Sequence, residues 1–267
     1  MAKHKEPHIT DLIGRIPYRL QLAGGWIDQP FVSKHNPSPP GSMVVVAIEP
    51  EFRFMDRAGI CGSTRSIAMK LWNGDIPQNK SRDELVRELY ETENKGKAEP
   101  SGSQDMIGLI YPGINRLDYD FNYEGGVFPC HIESNNDPEI AQWLSRVIHI
   151  LTVMPRPKNY NPLGGKNIDP KWVSCLGQAG KDCFDAIVRM DVNALGESLN
   201  ENMRCWNTLL PQNFGHPSLM PDLLELLDFY QHKYAGAMYS GCGGGYIFVV
   251  SEETVPGAFN ASVKVAK

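Results

Sequence analysis

Apolar and polar positions fall into two kinds of block along this chain. Ile16 to Leu22 and Met43 to Ile48 are rich in β-branched or aromatic residues and bounded by Gly and Pro, which predicts two strands. Gln29 to Ser42, between them, holds four prolines with Asn36 and Gly41 and is expected to be an irregular loop, of the kind that walls a substrate site. Glu51 to Met55 is expected to extend or re-pair the second strand. Ser66 to Trp72 opens a helix that Asn73-Gly74 cuts short. A clearer helix is predicted from Ser81 to Asn94: Ser81-Arg-Asp-Glu84 is a capping box, Leu85, Leu89 and Thr92 share a face, and Gly96 ends it. Gln104 to Ile110 reads as a short helix or turn, and Leu117 to Val127 as a hairpin about Glu124-Gly125-Gly126.

The pattern changes after Asn135-Asn136-Asp137-Pro138, and the chain is divided there into domains 1–140 and 141–267. Val147 to Met154, broken by His149 and stopped by Pro155, is far short of the ~20 apolar residues that span a bilayer and reads as a buried strand. A loop rich in Pro and Gly runs to about Pro170. Three series then recur at helical spacing: Trp172, Leu176, Ala179, Cys183 and Ile187; Val192, Leu195, Leu199, Met203 and Trp206; and Leu223, Leu227, Tyr230 and Tyr234. A glycine turn leads into a last strand, Tyr246 to Val250, with an edge strand expected at Ala261 to Val265. This order predicts a sheet covered by helices on one face.

Size and charge narrow the functional classes. A chain of 267 residues can bury a substantial core as one large or two modest domains. The net charge of -5 and the scattered basic residues argue against a broad nucleic-acid surface, so an anionic substrate needs a local site. Met1-Ala-Lys-His-Lys-Glu-Pro-His8 has no apolar run behind it to act as a secretory segment, which makes the cytoplasm the expected compartment. The six cysteines include no Cys-x-x-Cys pair and are expected to be reduced thiols.

Four segments carry candidate chemistry. Arg19 and Asp28 flank the turn Ala23-Gly24-Gly25 at a strand end, where both can converge on one ligand. An arginine fork holds a phosphoryl oxygen and an aspartate accepts from polyol hydroxyls; a structural salt bridge at a tight turn is the plainer alternative. Trp26 suits stacking on a sugar or capping the core. Gly59-Ile60-Cys61-Gly62-Ser63-Thr64-Arg65 precedes a helical stretch, so its amides suit a phosphate and a hydroxyl of Ser63 or Thr64 suits magnesium, although an ordinary turn into a helix has the same form. It lacks the lysine of a Walker loop. Glu93 and Asp105 are either a magnesium carboxylate and a group that orients or deprotonates a hydroxyl, or a solvated helix-end glutamate and an N-capping aspartate. Tyr239-Ser-Gly-Cys-Gly-Gly-Gly-Tyr246 is too glycine-rich for a plain hairpin tip, since each glycine costs roughly 0.5–1 kcal/mol of chain entropy. Either a ligand or the first glycine turn must approach its backbone closely.

Taken in order, these segments resemble the GHMP kinases, and most closely their fucokinase and heptose-phosphate kinase branch. Arg19-Leu-Gln-Leu-Ala-Gly-Gly-Trp-Ile-Asp28-Gln-Pro30 matches that branch's Arg-Ile-x-x-Ala-Gly-Gly-x-Thr-Asp-x-Pro. Ser101-Gly-Ser-Gln-Asp105-Met is similar to Gly-Lys-Gln-Asp-Gln, and Ser240-Gly-Cys-Gly-Gly-Gly-Tyr246 to Ser-Gly-Ala-Gly-Gly-Gly-Gly. The resemblance implies an α+β, two-domain GHMP kinase-like fold, with a ribosomal-protein-S5-type N-terminal domain, a ferredoxin-like C-terminal domain and the site between them. It implies ATP and Mg2+ as cofactors and a sugar or sugar phosphate as substrate; separately, no long apolar stripe for association is evident in the sequence, so a monomer or homodimer is expected. By position it makes Asp105 and Arg19 catalytic. It assigns Gly59, Gly62, Ser63, Thr64, Arg65, Gly241, Gly243 and Gly244 to the nucleotide, and Gly24, Gly25, Trp26, Asp28 and Gly245 to the acceptor. Glu93, Ser63 and Thr64 fall to the metal. This chain departs from the family in three places. The interval before the phosphate loop is much shortened, Cys61 and Arg65 stand where the family keeps small residues, and Ile27 replaces a threonine.

Overall fold

A computed structural model describes residues 9–97, 100–158, 160–161, 163–220 and 222–266; Met1 to His8, read above for a secretory segment, lie outside the described residues. The chain begins with a one-turn helix α1 (Ile9–Ile13), strand β1 (Tyr18–Gln21), a one-turn helix α2 (Pro30–Ser33) and strand β2 (Gly41–Ile48). Helices α3 (Gly62–Leu71), α4 (Arg82–Asn94) and α5 (Gln104–Ile110) follow, then strands β3 (Ile114–Tyr119) and β4 (His131–Asn135). The four strands form one antiparallel sheet in the order β1-β2-β3-β4. Next come α6 (Pro138–Val147), β5 (Ile148–Met154), α7 (Pro170–Val188), α8 (Val192–Leu209), the one-turn α9 (Gln212–Gly215), α10 (Leu223–Lys233), β6 (Gly236–Gly241) and β7 (Gly244–Val250). Their strands form a second antiparallel sheet in the order β5-β7-β6.

β2 is buried along its whole length because it pairs on both edges and carries α7 on its face. That contact is close: a Cβ on Gly180 of α7 would stand 1.9 Å from the carbonyl oxygen of Ser42. Apolar residues of both halves therefore merge into one continuous core. α4 has the expected capping box, but its buried face is Leu85, Val86 and Leu89; Thr92 is exposed and its hydroxyl donates to the Glu88 carbonyl. Among the described residues no helix is long and apolar enough to cross a membrane. The six cysteines carry free thiols.

Several elements differ from expectation for identifiable reasons. Glu51 to Met55 is a turn, not a strand, held by the Tyr246 hydroxyl, which bonds to the Arg53 carbonyl at 2.9 Å and to the Met55 amide. The hairpin after β3 returns only at β4, because Glu124–Gly126 is a helical turn with Gly125 at φ 66. α6 stands where Asn-Asn-Asp-Pro suggested only a break: Asp137 caps it by accepting from the Glu139 and Ile140 amides, with Pro138 in its first turn. Ala261 to Val265 makes a single bridge, Val263 to Ile48, while Phe259 bridges Ile150, so the tail ties the two sheets together without adding a strand.

Candidate active site

β1, α3 and α5 converge on one carboxylate. Arg19 of β1 forms a largely buried ion pair with Asp105 of α5 through Nη2 and Oδ1, and the Thr64 hydroxyl of α3 donates to Asp105 Oδ2 at 3.4 Å. Arg19 also donates to the Gly59 carbonyl at 3.4 Å. Burial is the largest influence and opposes its charge, but Asp105, by charge and hydrogen bond, together with Cys61 and Asp28 outweighs it and raises the pKa. Gly108 makes the approach feasible, since a Cβ there would stand 2.1 Å from Arg19 Cγ. Chain positions 86 residues apart thus meet in a fixed pair.

Asp28 sits beside this pair. It is 1% exposed, and neither of its oxygens has a donor of ordinary hydrogen-bond geometry. Burial, with the nearby Asp105 charge, pushes its pKa up to about 7; the Arg19 charge and the approaching amides of residues 28 and 104 only moderate the rise. Gly102 is what admits it: a Cβ at that position would stand 1.7 Å from Asp28 Oδ2. Buried, unpartnered carboxylate oxygens facing a cavity are apt acceptors for ligand hydroxyls.

Two cavities adjoin across Asp105. The first, ≈ 540 Å³, carries the carboxylates of Asp28 and Asp105, the amides of Gln21, Gln29 and Gln104, and the rings of Trp26, Phe31 and Trp206. Carboxylates and amides among aromatic faces are the lining a polyol requires. The second, ≈ 570 Å³, is lined by Arg156, by Arg19 paired with Asp105, by Arg57 bonded to the Arg156 and Pro157 carbonyls and by Asp56, and runs along Gly59, Cys61, Gly62 and Ser63 into the N-terminus of α3. That surface suits a polyphosphate. Arg19, Gly59, Asp105 and Arg156 line both cavities and mark the junction.

The glycine-rich segments support this junction mainly by packing. Gly59 has φ 77, and a Cβ there would stand 2.7 Å from the Ser240 carbonyl carbon and oxygen, so the loop before α3 rests on the end of β6 backbone to backbone. Ser240 adds a hydroxyl bond to the Ala58 carbonyl at 2.6 Å. Its partner is the Gly59 loop, not the first glycine turn that the sequence suggested. Of the late glycines only Gly241 lines a cavity; Gly243 packs on the Tyr160 ring, Gly244 lies near Met154 and Gly245 packs on Ala58. Gly24 and Gly25 line neither cavity: Gly24 packs on β2 and its amide donates to Asn202 Oδ1 at 2.9 Å, while Trp206 donates to the Gly25 carbonyl.

Arg65 requires correction as a nucleotide residue. It is buried, donates to the carbonyls of Ile13, Ile16 and Gly14, and stacks on Tyr18, so it neither meets nor blocks the cavity. An arginine in that position tolerates burial because these carbonyls and the ring satisfy it. Ser63 lines the second cavity, whereas Thr64 reaches Asp105 from beneath its wall. Glu93 lines neither cavity; one oxygen pairs with Lys97 at 3.3 Å and the other is buried without a partner. Both Glu93 and Asp105 are nevertheless near Cys61, where, after burial, they help push the thiol well above its usual pKa. Gln21 and Gln29 fall at the open positions of the first motif, Phe31, Arg57, Arg156 and Lys166 belong to no recognisable motif, and Trp206 shows only a core spacing.

No protein-family model matches the chain, and no curated protein matches it in sequence. Solved structures do match over nearly the whole length. The Lactococcus lactis galactokinase complexed with galactose is 14% identical with a TM-score of 0.62, over 95% of this chain and 93% of that one. A D-glycero-D-manno-heptose 1-phosphate kinase from Bacteroides thetaiotaomicron is 13% identical with a TM-score of 0.55, over 93% and 95%. Mevalonate diphosphate decarboxylase from Staphylococcus aureus is 11% identical with a TM-score of 0.56, over 97% and 98%. Kinases and a decarboxylase thus share this backbone, and fold alone does not choose the reaction. What the likeness establishes is architecture: this chain has the mixed α/β fold of the GHMP kinases.

Proposed function

We propose that the protein is an ATP-dependent kinase of the cytoplasm that transfers the γ-phosphoryl group to a hydroxyl of a sugar or sugar phosphate. The observation that carries this reading is the position of Asp105, held by Arg19 and Thr64 at the junction of a polyol-like cavity and a phosphate-like one. We also read residues 1–140 as an S5-type domain and 141–267 as a ferredoxin-like domain, supported by the division of the strands into a four-stranded and a three-stranded sheet.

The residues present fit a magnesium-bound triphosphate in charge and donor chemistry. Arg156 and the amides leading into α3 line the second cavity beside the Arg19–Asp105 pair, and the Ser63 hydroxyl supplies a protein oxygen for such an ion. Tyr160 is the candidate contact for the base. When bound, the nucleotide supplies the transferable phosphoryl group and the metal neutralises its charge. On the acceptor side Asp28 and Gln104 bind and orient hydroxyls. Asp105 Oδ2 takes the proton of the reacting hydroxyl, while Arg19 fixes the carboxylate and opposes negative charge developing beside it.

A sugar panel with ATP and magnesium, scored by ADP release and phosphorylated product, tests this for the wild type and Asp105→Asn. Turnover on at least one sugar, falling about 10²–10⁴-fold in the variant, is expected. Glu93, which lines neither cavity, favours a second reading: a non-catalytic relative that binds a sugar or nucleotide as a sensor or partner subunit. Sugar binding without turnover on any member of the panel selects that reading.

A further inference from the structure

Two loops from opposite halves of the chain meet at the second cavity. Arg57 stands between β2 and α3, and Arg156 and Pro157 stand between β5 and α7. Arg57 donates through Nε to the Arg156 carbonyl at 3.0 Å and through Nη2 to the Pro157 carbonyl at 2.7 Å. In return the Arg57 carbonyl accepts from the Arg156 amide at 3.0 Å and from Arg156 Nε at 3.4 Å. One residue therefore holds both the backbone and the side chain of Arg156. With its Nε taken, the terminal Nη groups of Arg156 are the part left to the two cavities that it lines.

Arg57 makes these contacts from a costly backbone conformation. Its φ is 57, in the left-handed region, where a Cβ crowds the following carbonyl and glycine is the favoured residue. Gly59 has φ 77 for a packing reason, since Ser240 leaves no room for a Cβ. Arg57 is exposed, so packing does not explain the choice of residue. What an arginine adds is a planar fork that spans two successive carbonyls of the opposite loop. The far end of that loop is fixed separately, by the Tyr160 hydroxyl donating to the Asn213 carbonyl at 2.8 Å. Arg57 secures the end that carries Arg156.

We infer that Arg57 is a positioning residue: its donors are spent on carbonyls, and it acts on the phosphate chain only through Arg156, which it fixes at the junction of the two cavities. This rests on the kinase reading of the same site and adds to it a residue that sets the geometry of anion binding.

Calorimetric binding of magnesium tripolyphosphate, with melting temperature alongside, tests the inference without turnover in the wild type, Arg57→Gly, Arg57→Lys, Arg156→Gln and the double variant Arg57→Gly with Arg156→Gln. Arg57→Gly suits the backbone and removes only the fork, so it should melt near the wild type yet bind about three- to ten-fold more weakly, the order set by losing one or two hydrogen bonds. Arg57→Lys keeps the charge but cannot span both carbonyls, and it should bind as weakly as Arg57→Gly. The double variant should bind no more weakly than Arg156→Gln alone, because both changes remove one interaction. Wild-type affinity in Arg57→Gly, in Arg57→Lys or in Arg156→Gln, or losses that add in the double variant, overturns the inference and leaves the kinase reading standing. Failure of the wild type to bind tripolyphosphate removes the kinase reading and this inference together.

Discussion

The turn after β1 and the loop before α3 are both built on glycine, yet Gly24 of the first and Gly62 of the second serve opposite ends. In the first, Gly24 faces inward, where a Cβ would stand 2.2 Å from the Ser42 carbonyl oxygen, and α8 holds the turn through Asn202 and Trp206. Its backbone is occupied by packing, so the cavity wall here falls to Trp26 and Asp28. In the second, Gly62 and Ser63 face the open cavity, while the large side chain nearby, Arg65, turns into the protein. A glycine motif therefore marks a place where the backbone must come close to something, and the tertiary neighbours decide whether that is a ligand or another strand.

A methyl group placed in each segment separates the two roles of glycine most widely. Gly24→Ala combines a φ of 86 with a collision against β2 and is expected to cost at least roughly 3 kcal/mol. In Gly62→Ala the nearest atom to the new methyl group is Asp56 Oδ1 at 3.5 Å, and the cost should stay below about 1 kcal/mol. Denaturant unfolding measures both, and equal losses would erase the distinction.

Arginines on either side of the second loop sharpen it further. Arg65→Met strips donors from buried carbonyls and should destabilise by roughly 2–3 kcal/mol, with affinity for magnesium tripolyphosphate unchanged. Arg156→Gln should do the reverse, weakening tripolyphosphate several-fold with little change in melting temperature. Should Arg65→Met abolish tripolyphosphate binding in a folded protein, the side chain does face the phosphate.

Asp28 gives the first turn a pH dependence below and near neutrality. With its pKa raised from 3.8 to about 7, the folded protein keeps a proton that the unfolded chain has released between those values. The stabilising contribution is complete below pH 3.8 and lost as pH rises through 7. Asp28→Asn should match the wild type near pH 4 and exceed its stability near pH 8 by roughly 1–3 kcal/mol. Parallel curves for the two proteins would mean that the carboxylate is solvated.

The smallest expected effect is at Glu93. Because it lines neither cavity, Glu93→Gln should lower turnover less than about ten-fold, and loss of its Lys97 pair should cost about 0.3–0.5 kcal/mol. A hundred-fold loss of turnover with stability intact would restore it as the metal carboxylate.

How much was legible beforehand followed the range of the interactions involved. The capping box at Ser81 and Glu84 and the apolar series of α7 and α8 are complete within a few turns of chain, and they appear in the structure as read. β6 escaped notice because its Gly-Ala start carries little strand character and pairing with β7 secures it. Arg19 and Asp105 stood out through motifs, but Lys166, Arg156 and Trp206 lie in a loop and a helix that mark them as nothing special.

By itself the sequence determined the local helices, the strand-and-turn frame around Arg19 and Asp28, and the glycine positions where backbone could come close. Only the tertiary structure decided that Gly102 and Gly108 make room for Asp28 and Arg19, that Arg65 turns inward, and that Lys166 stands over Phe31. The physical reason is range: capping and periodicity are satisfied by neighbours in the chain, whereas a cavity is the space left when segments far apart in sequence pack together.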